Sequence, residues 1–552
     1  MGLSQSKHCL MDIRLYLTDL FLSRPLGSTT CVSVLMLASL YLLKEYRQRL
    51  RTTRIRGPES PSWVFGFAKT LLDSTAATEL YECWSKEYGS VYKVPYVLGE
   101  SRVILWDPKA VSHFFARDTW LYHQTPFHKI ALRTTMGRGV LWADGESHKR
   151  QRKTLNPAFS AAAIRSLTYV FQDAAYKAVT AWDAEIGSNQ GTHCAIIDAQ
   201  QWMNHISLDS VGIAVLSHDF GALDGKDSDV AQVLNAFGSS TGVSHNLVIL
   251  AQNFPSILKL PIPRTQFSQK FNLIIGKICQ DMLSRTRKEK ETGGTEQGDK
   301  SCLGFLLKAE ESGDSAGLTS QEVVDEAKVL LLAGFETTAV SMTWALIEIA
   351  RNPDVQTELR DECLKFGPSP SYDDLTNKLP YLDAVVHEIL RLHGPVKEIP
   401  RMAMEEDVIP LSEPVRTTAG NYTDSICIPK GTVIVVPLAA LNCSVSMWGP
   451  DAKAFQPSRW LREEDAGMYK ARDALHGYRH LMTFGDGARM CLGRLFALTE
   501  FKFVLVRNFV FEMADGPGVK IVASMGTLPR PSVVGSAEGG CSVPLRVRRF
   551  EL

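Results

Sequence analysis

A long apolar segment, residues 321–352, limits more strongly than any other feature how this chain can fold. Thr319 and Glu322 form a capping-box pattern at its start, and Asn352, which precedes a proline, predicts its end. Residues 329–333 read Val-Leu-Leu-Leu-Ala, so the segment is apolar on almost every side. A helix without a polar face is stable only inside a protein, and we therefore expect it to cross a large core.

The middle of this predicted helix breaks local rules. Residues 333–338 read Ala-Gly-Phe-Glu-Thr-Thr. A glycine there costs about 1 kcal/mol relative to alanine, and a buried glutamate needs a partner or water. Such conflicts inside a buried helix often mark a functional site. The alternative is a plain helix–helix crossing at Gly334 with Glu336 at the surface.

Helical periodicity dominates from residue 110 to about 392, and short β-like runs appear near 102–105, 432–436 and 543–547. A polar stretch at 287–300 is predicted to be a surface loop between helices. Neither an internal repeat nor a second linker is evident. The sequence therefore predicts a mainly α protein with small β-sheets.

The overall charge and the cysteines exclude several classes of protein. Among 552 residues, 60 basic side chains balance 60 acidic ones, so no global basic surface predicts a nucleic-acid partner. The 11 cysteines are odd in number and include no CxxC pair. This usage favours isolated thiols in a reducing compartment over a disulfide framework or structural zinc.

The first 62 residues predict a membrane anchor. Residues 25–43 carry no charge, and as a helix they would extend ~28 Å, close to a hydrocarbon core of ~30 Å. Lys and Arg are concentrated after this segment, which places the following chain in the cytosol. We expect a lumenal segment at 1–24, a transmembrane helix at 25–43, a basic stretch and Pro-rich hinge at 44–62, and one domain at 63–552.

Two other interpretations of the N-terminus fit its sequence less well. A cleaved signal peptide would have a shorter apolar core, preceded rather than followed by the basic cluster. The start Met1-Gly2-Leu3-Ser4-Gln5-Ser6 matches a loose myristoylation pattern, but a spanning helix makes a lipid anchor redundant. The sequons at Asn421 and Asn442 are expected to stay unmodified in a cytosolic domain.

The strongest local pattern is Phe-Gly-Asp-Gly-Ala-Arg-Met-Cys-Leu-Gly at 484–493. A lone cysteine is usually a buried, inert thiol. Each neighbour of Cys491, however, has a physical reason if that thiol ligates haem iron. Backbone N–H groups from the turn at Gly487 can stabilise a thiolate, and Arg489 can pair with a haem propionate.

Two further residues of this loop fit the same interpretation. Phe484 would shield the sulfur from water, and Gly493, which has no Cβ, would let the next helix start close to the porphyrin. These residues resemble the haem-binding signature of the cytochrome P-450 family, and the resemblance extends over nearly all of residues 63–552. It implies one large, mainly helical catalytic domain holding haem b with Cys491 as the axial ligand.

A second motif of the family lies upstream. Glu388 and Arg391 place opposite charges at i and i+3 on one helix face, and Arg459 lies in a Phe-x-Pro-x-Arg-Trp segment. The resemblance implies that these three residues form a buried structural triad. The alternative is an exposed ion pair worth under ~1 kcal/mol. The spacing alone is weak, because Glu413 and Arg416 repeat it around a proline.

His387 and His393 flank this motif without HExxH spacing, which argues against a zinc hydrolase. The resemblance also implies propionate ligands at His148, Arg152 and Arg401. The family commonly has tryptophan where this chain has His148. A solvated basic face is the alternative for all three.

The resemblance implies roles for the middle of the long helix in a monooxygenase. Gly334 would leave room for O2, and Glu336 would bring protons inward. The Thr337 hydroxyl, which can bond the carbonyl at i−4, would loosen the helix and hold a water. One atom of O2 would then enter a lipophilic substrate.

Electrons must come from outside, because no GxGxxG opens a helix after a predicted strand. The implied donor is a membrane-bound NADPH–cytochrome reductase, a flavoprotein that docks in a salt-sensitive way, and the implied location is the endoplasmic reticulum membrane with the catalytic domain cytosolic.

Two other functions remain open at this point, a reductase-independent haem-thiolate isomerase or dehydratase and a non-enzymatic haem carrier or scaffold. Segments 122–140 and 234–271, and the strand after Pro395, are expected to choose the substrate. Their Leu, Ile, Phe and Ala content suits a lipophilic molecule. Short phrases resemble fungal enzymes of secondary metabolism, for which a terpenoid or polyketide skeleton is expected, with fatty-acid or xenobiotic hydroxylation as the alternative.

Overall fold

A computed structural model describes residues 52–550 except 73, 190–192, 227–228, 240–244, 292–301, 312–316, 367–369, 462–474, 506–508, 525–527 and 535–540. It also describes seven single positions between residues 32 and 43, all of them helical and exposed. The rest of the predicted transmembrane helix, and the lumenal segment before it, lie outside the described residues. The chain is described below by these ranges.

The helices occupy most of the described chain. They are α1 (Ala68–Leu71), α2 (Ser74–Tyr88), α3 (Pro108–Arg117), α4 (Pro126–Thr135), α5 (Gly145–Leu155), α6 (Ala161–Ser166), α7 (Thr168–Ser188), α8 (Ala199–Leu216), α9 (Asp229–Ser239), α10 (His245–Asn253), α11 (Pro263–Glu291), α12 (Cys302–Glu311), α13 (Ser320–Arg351), α14 (Pro353–Leu364), α15 (Tyr372–Asn377), α16 (Pro380–Leu392), α17 (Leu438–Asn442), α18 (Val445–Trp448) and α19 (Arg494–Leu505).

The strands are short and form small sheets, as predicted. They are β1 (Val91–Pro95), β2 (Ser101–Leu105), β3 (Tyr122–His123), β4 (Cys194–Asp198), β5 (Ile399–Ala403), β6 (Asp407–Arg416), β7 (Tyr422–Ile428), β8 (Val433–Val436), β9 (Phe509–Met513), β10 (Ile521–Ala523), β11 (Pro531–Val533) and β12 (Pro544–Arg549). The largest sheet has the order β1-β2-β8-β5-β3, and the others are β4-β12-β9, β6-β7 and β10-β11.

The predicted core helix is α13, and its ends are confirmed. The Thr319 side chain accepts from the Glu322 backbone while the Glu322 carboxylate accepts from the Thr319 backbone, which completes the capping box. Among the described residues α13 is the one helix long and apolar enough to cross a membrane, yet 78% of its most apolar window is buried inside the protein. Its apolar surface is therefore covered by the fold itself.

Helices pack around α13 and thereby position the site. α8 makes the most extensive contact with it, and α11, α16 and α19 also pack against it. Since α19 begins three residues after Cys491, the predicted thiolate loop is anchored to the helix that packs on α13. The central helix and the cysteine loop are thus tied to one core.

Two predicted connections differ from the structure. The polar stretch at 287–300 begins on a helix, because α11 continues to Glu291, and Arg287 pairs with Glu310 of α12 at 2.5 Å. The part of the predicted hinge that is described is packed on the globule rather than free of it. Lys93 N–H of β1 donates to Arg56 O at 2.9 Å, and a Cβ on Gly57 would lie 1.8 Å from Lys93 O.

Candidate active site

The loop before α19 is held in its shape by its own backbone and by α3. The Cys491 N–H donates to Phe484 O at 2.8 Å and closes the loop. Gly485 and Gly487 both have positive φ, 68° and 64°. A Cβ on Gly487 would lie 2.3 Å from Phe115 O, so this position needs glycine for both its conformation and its contact with α3.

The Cys491 thiol is accessible, although protein surrounds it. Burial raises the pKa of the Cys491 thiol. The Gly493 N–H and the charges of Arg152 and Arg494 oppose part of this rise. The Gly487 N–H itself donates to Asp486 Oδ1 at 2.7 Å, and the predicted role of the other N–H groups of this turn stays a prediction. A backbone donor that faces the sulfur is Gly493.

At Gly493 the protein atoms alone do not require a glycine. A Cβ there would make an ordinary contact, 3.8 Å from Phe159 Cε1. Phe484 is half-buried, and its ring lies edge-on to Tyr478 with centroids 6.1 Å apart. The predicted shielding and close-approach roles of these two residues stay predictions.

Two arginines from distant parts of the chain meet near the loop. Arg489 Nη2 donates to Ala143 O at 2.8 Å and to Asp144 Oδ1 at 2.7 Å. Arg401, on β5, donates to Gln124 Oε1 at 3.1 Å, and burial lowers its pKa to about 10. The Nε atoms of both are buried without a hydrogen-bond partner among the described residues.

Helix α5 supplies the other predicted basic residues. Burial, together with the charges of Arg489 and Arg152, lowers the pKa of His148 to about 3, and His148 Nδ1 is buried without a described partner. Arg152 is half-buried and interacts electrostatically with Cys491. These side chains therefore point inward, whereas Lys149 and Lys153 form the solvated part of the same helix.

Two acidic residues that no motif marked complete this cluster. Asp118, just after α3, is 1% exposed, and burial raises its pKa to about 6 against the opposing charges of Arg489 and Arg401. Asp144, just before α5, pairs with Arg489 and also with Lys129 at 2.5 Å. Neither has a distinctive sequence neighbourhood, so only their position in the fold reveals them.

The donor set fits a haem. Three nitrogens, on Arg401, Arg489 and His148, are buried without described partners, which is costly unless an acceptor meets them. Carboxylates such as the two haem propionates are suitable acceptors for guanidinium and imidazole donors. The positive charge of Arg152 interacts with the accessible Cys491 thiol and favours the thiolate form of that cysteine.

The middle of α13 opens on one face only. From residue 323 to 343 every position is buried except Ala333, Gly334 and Thr337, which share a face at i, i+1 and i+4 spacing. Thr337 Oγ1 donates to Ala333 O at 2.6 Å, as expected from the sequence. Ser207 of α8 adds a second hydroxyl, 3.2 Å from Gly334 O and 3.1 Å from Phe335 O.

The alternative of a helix–helix crossing at Gly334 with Glu336 at the surface is right for Gly334 and wrong for Glu336. A Cβ on Gly334 would lie 2.7 Å from Val211 Cγ2, so this glycine does sit at a helix crossing. The predicted space for O2 there stays a prediction, since the missing Cβ points toward α8. Glu336 is 3% exposed rather than at the surface, and it accepts from Arg530 Nη2 at 3.3 Å.

The structure brings the predicted triad together in full burial. Arg391 Nε and Nη2 donate to the two Glu388 oxygens at 2.8 and 2.7 Å, and both side chains are 0% exposed. Arg459 Nε reaches Glu388 Oε1 at 3.5 Å, and Trp460 Nε1 donates to Oε2 at 3.0 Å. Arg391 also donates to the carbonyls of Asn442, Ala452 and Ala454. The alternative of an exposed pair is therefore wrong.

The two histidines near the triad have structural partners. His387 Nδ1 bonds Asp383 O at 2.6 Å, and His393 stacks on Trp344 and bonds Glu348 Oε1 at 2.8 Å. Among the described residues no group of three His, Cys, Asp or Glu side chains is placed to hold a metal ion.

Comparison with known proteins agrees with this geometry. The family model described as Cytochrome P450 matches residues 56–532. Similar proteins include cytochrome P450 monooxygenases claQ and claW of Ampulloclitocybe clavipes, 49% and 47% identical over 93% of this chain and 97% and 96% of their own lengths. Ganoderic acid synthetase CYP5150L8 of Ganoderma lucidum is 32% identical over 78% of this chain and 83% of its own.

The family holds haem through a cysteine thiolate, and its named relatives here are fungal monooxygenases. The mainly helical fold with small sheets and the accessible thiol in a basic cluster are both typical of such a haem-thiolate protein. The chain belongs to the cytochrome P450 family and is a haem-dependent monooxygenase.

Proposed function

We propose that the chain inserts one atom of O2 into a lipophilic substrate of fungal secondary metabolism, with electrons that a flavoprotein reductase takes from NADPH. The observation that carries this proposal is the accessible Cys491 thiol among inward-pointing basic side chains, tied through α19 to the opened face of α13. Haem, when bound, would supply the oxygen-activating chemistry.

The chain's own residues would hold the cofactor at two places. Cys491 would be the axial ligand, its thiolate favoured by the Gly493 N–H and by Arg152. The unpartnered nitrogens of Arg489, Arg401 and His148 would meet the propionates, and Arg152 would add charge. Arg489 is already held in place by Ala143 O and Asp144, so little side-chain entropy would be lost on binding.

Glu336 and Thr337 would deliver protons to the site. The Thr337 hydroxyl is anchored to Ala333 O and lies on the accessible face, where its oxygen can accept from a water. Burial raises the pKa of Glu336 while Arg530 lowers it, which suits a group that must both take up and release a proton. The presence of both an acid and a threonine at these adjacent positions also supports a monooxygenase over an isomerase or dehydratase.

The substrate class is inferred from relatives and composition. One relative is named a ganoderic acid synthetase, and others are named only as monooxygenases. The segments expected to contact the substrate are rich in aliphatic and aromatic side chains, so a terpenoid or polyketide-derived molecule suits them. Hydroxylation of a fatty acid or a xenobiotic is the alternative.

The proposal places the protein in the endoplasmic reticulum membrane, with residues 25–43 spanning it and the remainder cytosolic. The exposed apolar positions Val32, Leu35, Met36, Leu40 and Leu43 support an anchor there. The exposed Lys149 and Lys153 lie on α5, the helix that carries Arg152 near the thiol. Reductase docking is therefore expected to weaken as salt is raised.

The test uses the full chain in membranes supplied with reductase. We expect a thiolate-type ferrous carbonyl spectrum, and products one oxygen heavier than lipophilic candidates drawn from terpenoids, polyketides, fatty acids and xenobiotics. Cys491→Ser should abolish both signals. A histidine-type carbonyl spectrum would reject Cys491 as ligand. Turnover of hydroperoxides without NADPH would favour an isomerase, and failure to bind carbon monoxide would favour a haem carrier.

A further inference from the structure

A buried ion pair joins two distant parts of the chain at the middle of α13. Glu336 lies in the middle of α13, and Arg530 is the residue before β11. Arg530 Nη2 donates to Glu336 Oε1 at 3.3 Å, and each residue is 3% exposed. Removing one partner of so enclosed a pair would leave a charge inside the protein.

The hairpin β10–β11, rather than α13, determines where the guanidinium lies. Ala523 pairs with Pro531 in antiparallel register, and the Ser524 N–H donates to Arg530 O at 2.7 Å. β11 packs against α13. The backbone from the Arg530 carbonyl onward is therefore held by pairing with β10, and this pairing fixes the point from which the Arg530 side chain enters the core.

Arg530 is the residue that opposes the effect of burial on the pKa of the Glu336 carboxyl. Burial raises the pKa of Glu336, and the charge and hydrogen bond of Arg530 lower it. The other carboxyls on neighbouring helices do not contribute. Asp209 on α8 accepts from the N–H groups of Ala222 and Leu223, and Glu500 is buried on α19. Neither shifts the pKa of Glu336.

We propose that Arg530 is a positioning residue for oxygenation, which keeps the Glu336 carboxylate ionised and in place beside Thr337. This inference rests on the proposed proton-managing role of Glu336. Without Arg530 a buried carboxyl keeps its proton, because burial alone disfavours the charged form. Glu336 would then release its proton too slowly during turnover, and O2 with two electrons and two protons would leave as hydrogen peroxide instead of yielding product.

The experiment measures coupling and carboxyl ionisation together in the haem-loaded full chain with reductase. We expect Arg530→Ala to lower product formed per NADPH at least about threefold and Arg530→Lys to restore most of it, because lysine keeps the charge. Infrared difference spectra, with Glu336→Gln to assign the band, should show a protonated Glu336 carboxyl at neutral pH in Arg530→Ala and not in the wild type, beside the protonated Glu326 that both proteins share. Arg548→Ala, whose side chain pairs with Glu512 at the surface, is the matched control.

A double-mutant cycle separates positioning from general support of the fold. If Arg530 acts through Glu336, then Arg530→Ala should change coupling little in the Glu336→Gln background. An equal loss in both backgrounds, or wild-type coupling in Arg530→Ala, would overturn the inference. An absent thiolate-type spectrum in the wild type, or full coupling in Glu336→Gln, would instead reject the proposed function on which it rests.

Discussion

Thr337 and Thr343 make the same backbone contact on α13 and differ in what surrounds them. Thr337 Oγ1 donates to Ala333 O at 2.6 Å, and Thr343 Oγ1 donates to Ala339 O at 2.8 Å. Thr343 is fully buried, whereas Thr337 lies on the accessible face. The local bond is therefore structural in both, and only Thr337 has a hydroxyl oxygen available to a water at the site.

The first prediction concerns Thr337→Ala. We expect product per NADPH to fall about tenfold or more and hydrogen peroxide to rise, because the hydroxyl that orders a water is lost. Thr337→Ser should keep most of the coupling. The measurement compares NADPH consumed, peroxide and product in one assay. Thr343→Ala is the control, and the role fails if both alanine variants are equally coupled.

The second prediction concerns the triad, where Glu388 faces two buried guanidinium groups. Glu388→Gln would leave the fully buried Arg391 without its counter-charge and would leave Arg459 with Asp451 at 3.0 Å, and we expect the free energy of unfolding to fall by about 3 kcal/mol or more. Denaturant titration followed by circular dichroism measures it. Glu413→Gln, in the exposed copy of the same spacing on β6, should change stability by no more than about 0.5 kcal/mol. Equal effects would reject a supporting role for the triad.

At the scale of elements, the crossing of α8 and α13 decides the shape of the site. Gly334 meets Val211 at the crossing, and Ser207 bonds the carbonyls of Gly334 and Phe335 from the same helix. The opened face of α13 is therefore set partly by its neighbour. A helix alone, however well capped, would not have this geometry.

The third prediction tests that crossing. Gly334→Ala should cost about 1–3 kcal/mol through overpacking against Val211, even though alanine favours the helix. Val211→Ala removes the clashing methyl groups, so the double variant should be more stable than the sum of the single effects predicts. Thermal unfolding of the four proteins gives the coupling. Simple additivity would show that the two side chains do not meet.

At the scale of the whole molecule, stability depends on pH through two carboxyls one turn apart on α13. Burial, with help from Glu322 and Asp325, raises the pKa of Glu326 from 4.5 to about 8. Burial also acts on Glu322, but hydrogen bonds from Arg150 and the Thr319 backbone outweigh it and lower its pKa to about 2. As pH rises, Glu326 therefore lowers the free energy of unfolding, whereas Glu322 raises it.

The fourth prediction follows from these signs. Between pH 4.5 and 8 the folded protein keeps a proton on Glu326 that the unfolded chain releases, so this residue makes stability fall as pH rises. Relative to the wild type, the free energy of unfolding of Glu326→Gln should therefore increase by up to about 1.4 kcal/mol per pH unit across this pH range. The contribution of Glu322 is present above pH 4.5 and is lost toward about pH 2. Glu322→Gln should thus be destabilised by a constant amount from pH 5 to 8.

Denaturant midpoints at pH 5, 6, 7 and 8 check this pair of variants. Each is compared with the wild type at the same pH, so other titrating groups cancel. A Glu326→Gln curve parallel to the wild type would show that Glu326 is ionised in the folded protein. The Glu322→Gln curve then serves as the reference for a carboxyl that does not titrate in this range.

Features that depend on neighbours along the chain are predictable from the sequence alone. The capping box at Thr319 and Glu322, the bond from Thr337 to Ala333, and the short strands follow from spacing of a few residues. The loop at 484–493 and the Glu388–Arg391 pair were also found this way, because their partners lie within ten residues. Local geometry repeats wherever the same residues occur at the same spacing.

The pairing of groups that are distant along the chain depends on the packed fold. Asp118, Asp144, Ser207 and Arg530 lie in ordinary sequence surroundings, and each reaches the site from more than 100 residues away in the chain. The Gly493 N–H that faces the Cys491 sulfur was likewise not predicted, whereas the Gly487 N–H donates to Asp486 Oδ1. Burial and charge balance depend on how elements pack, and packing couples residues that no local pattern connects.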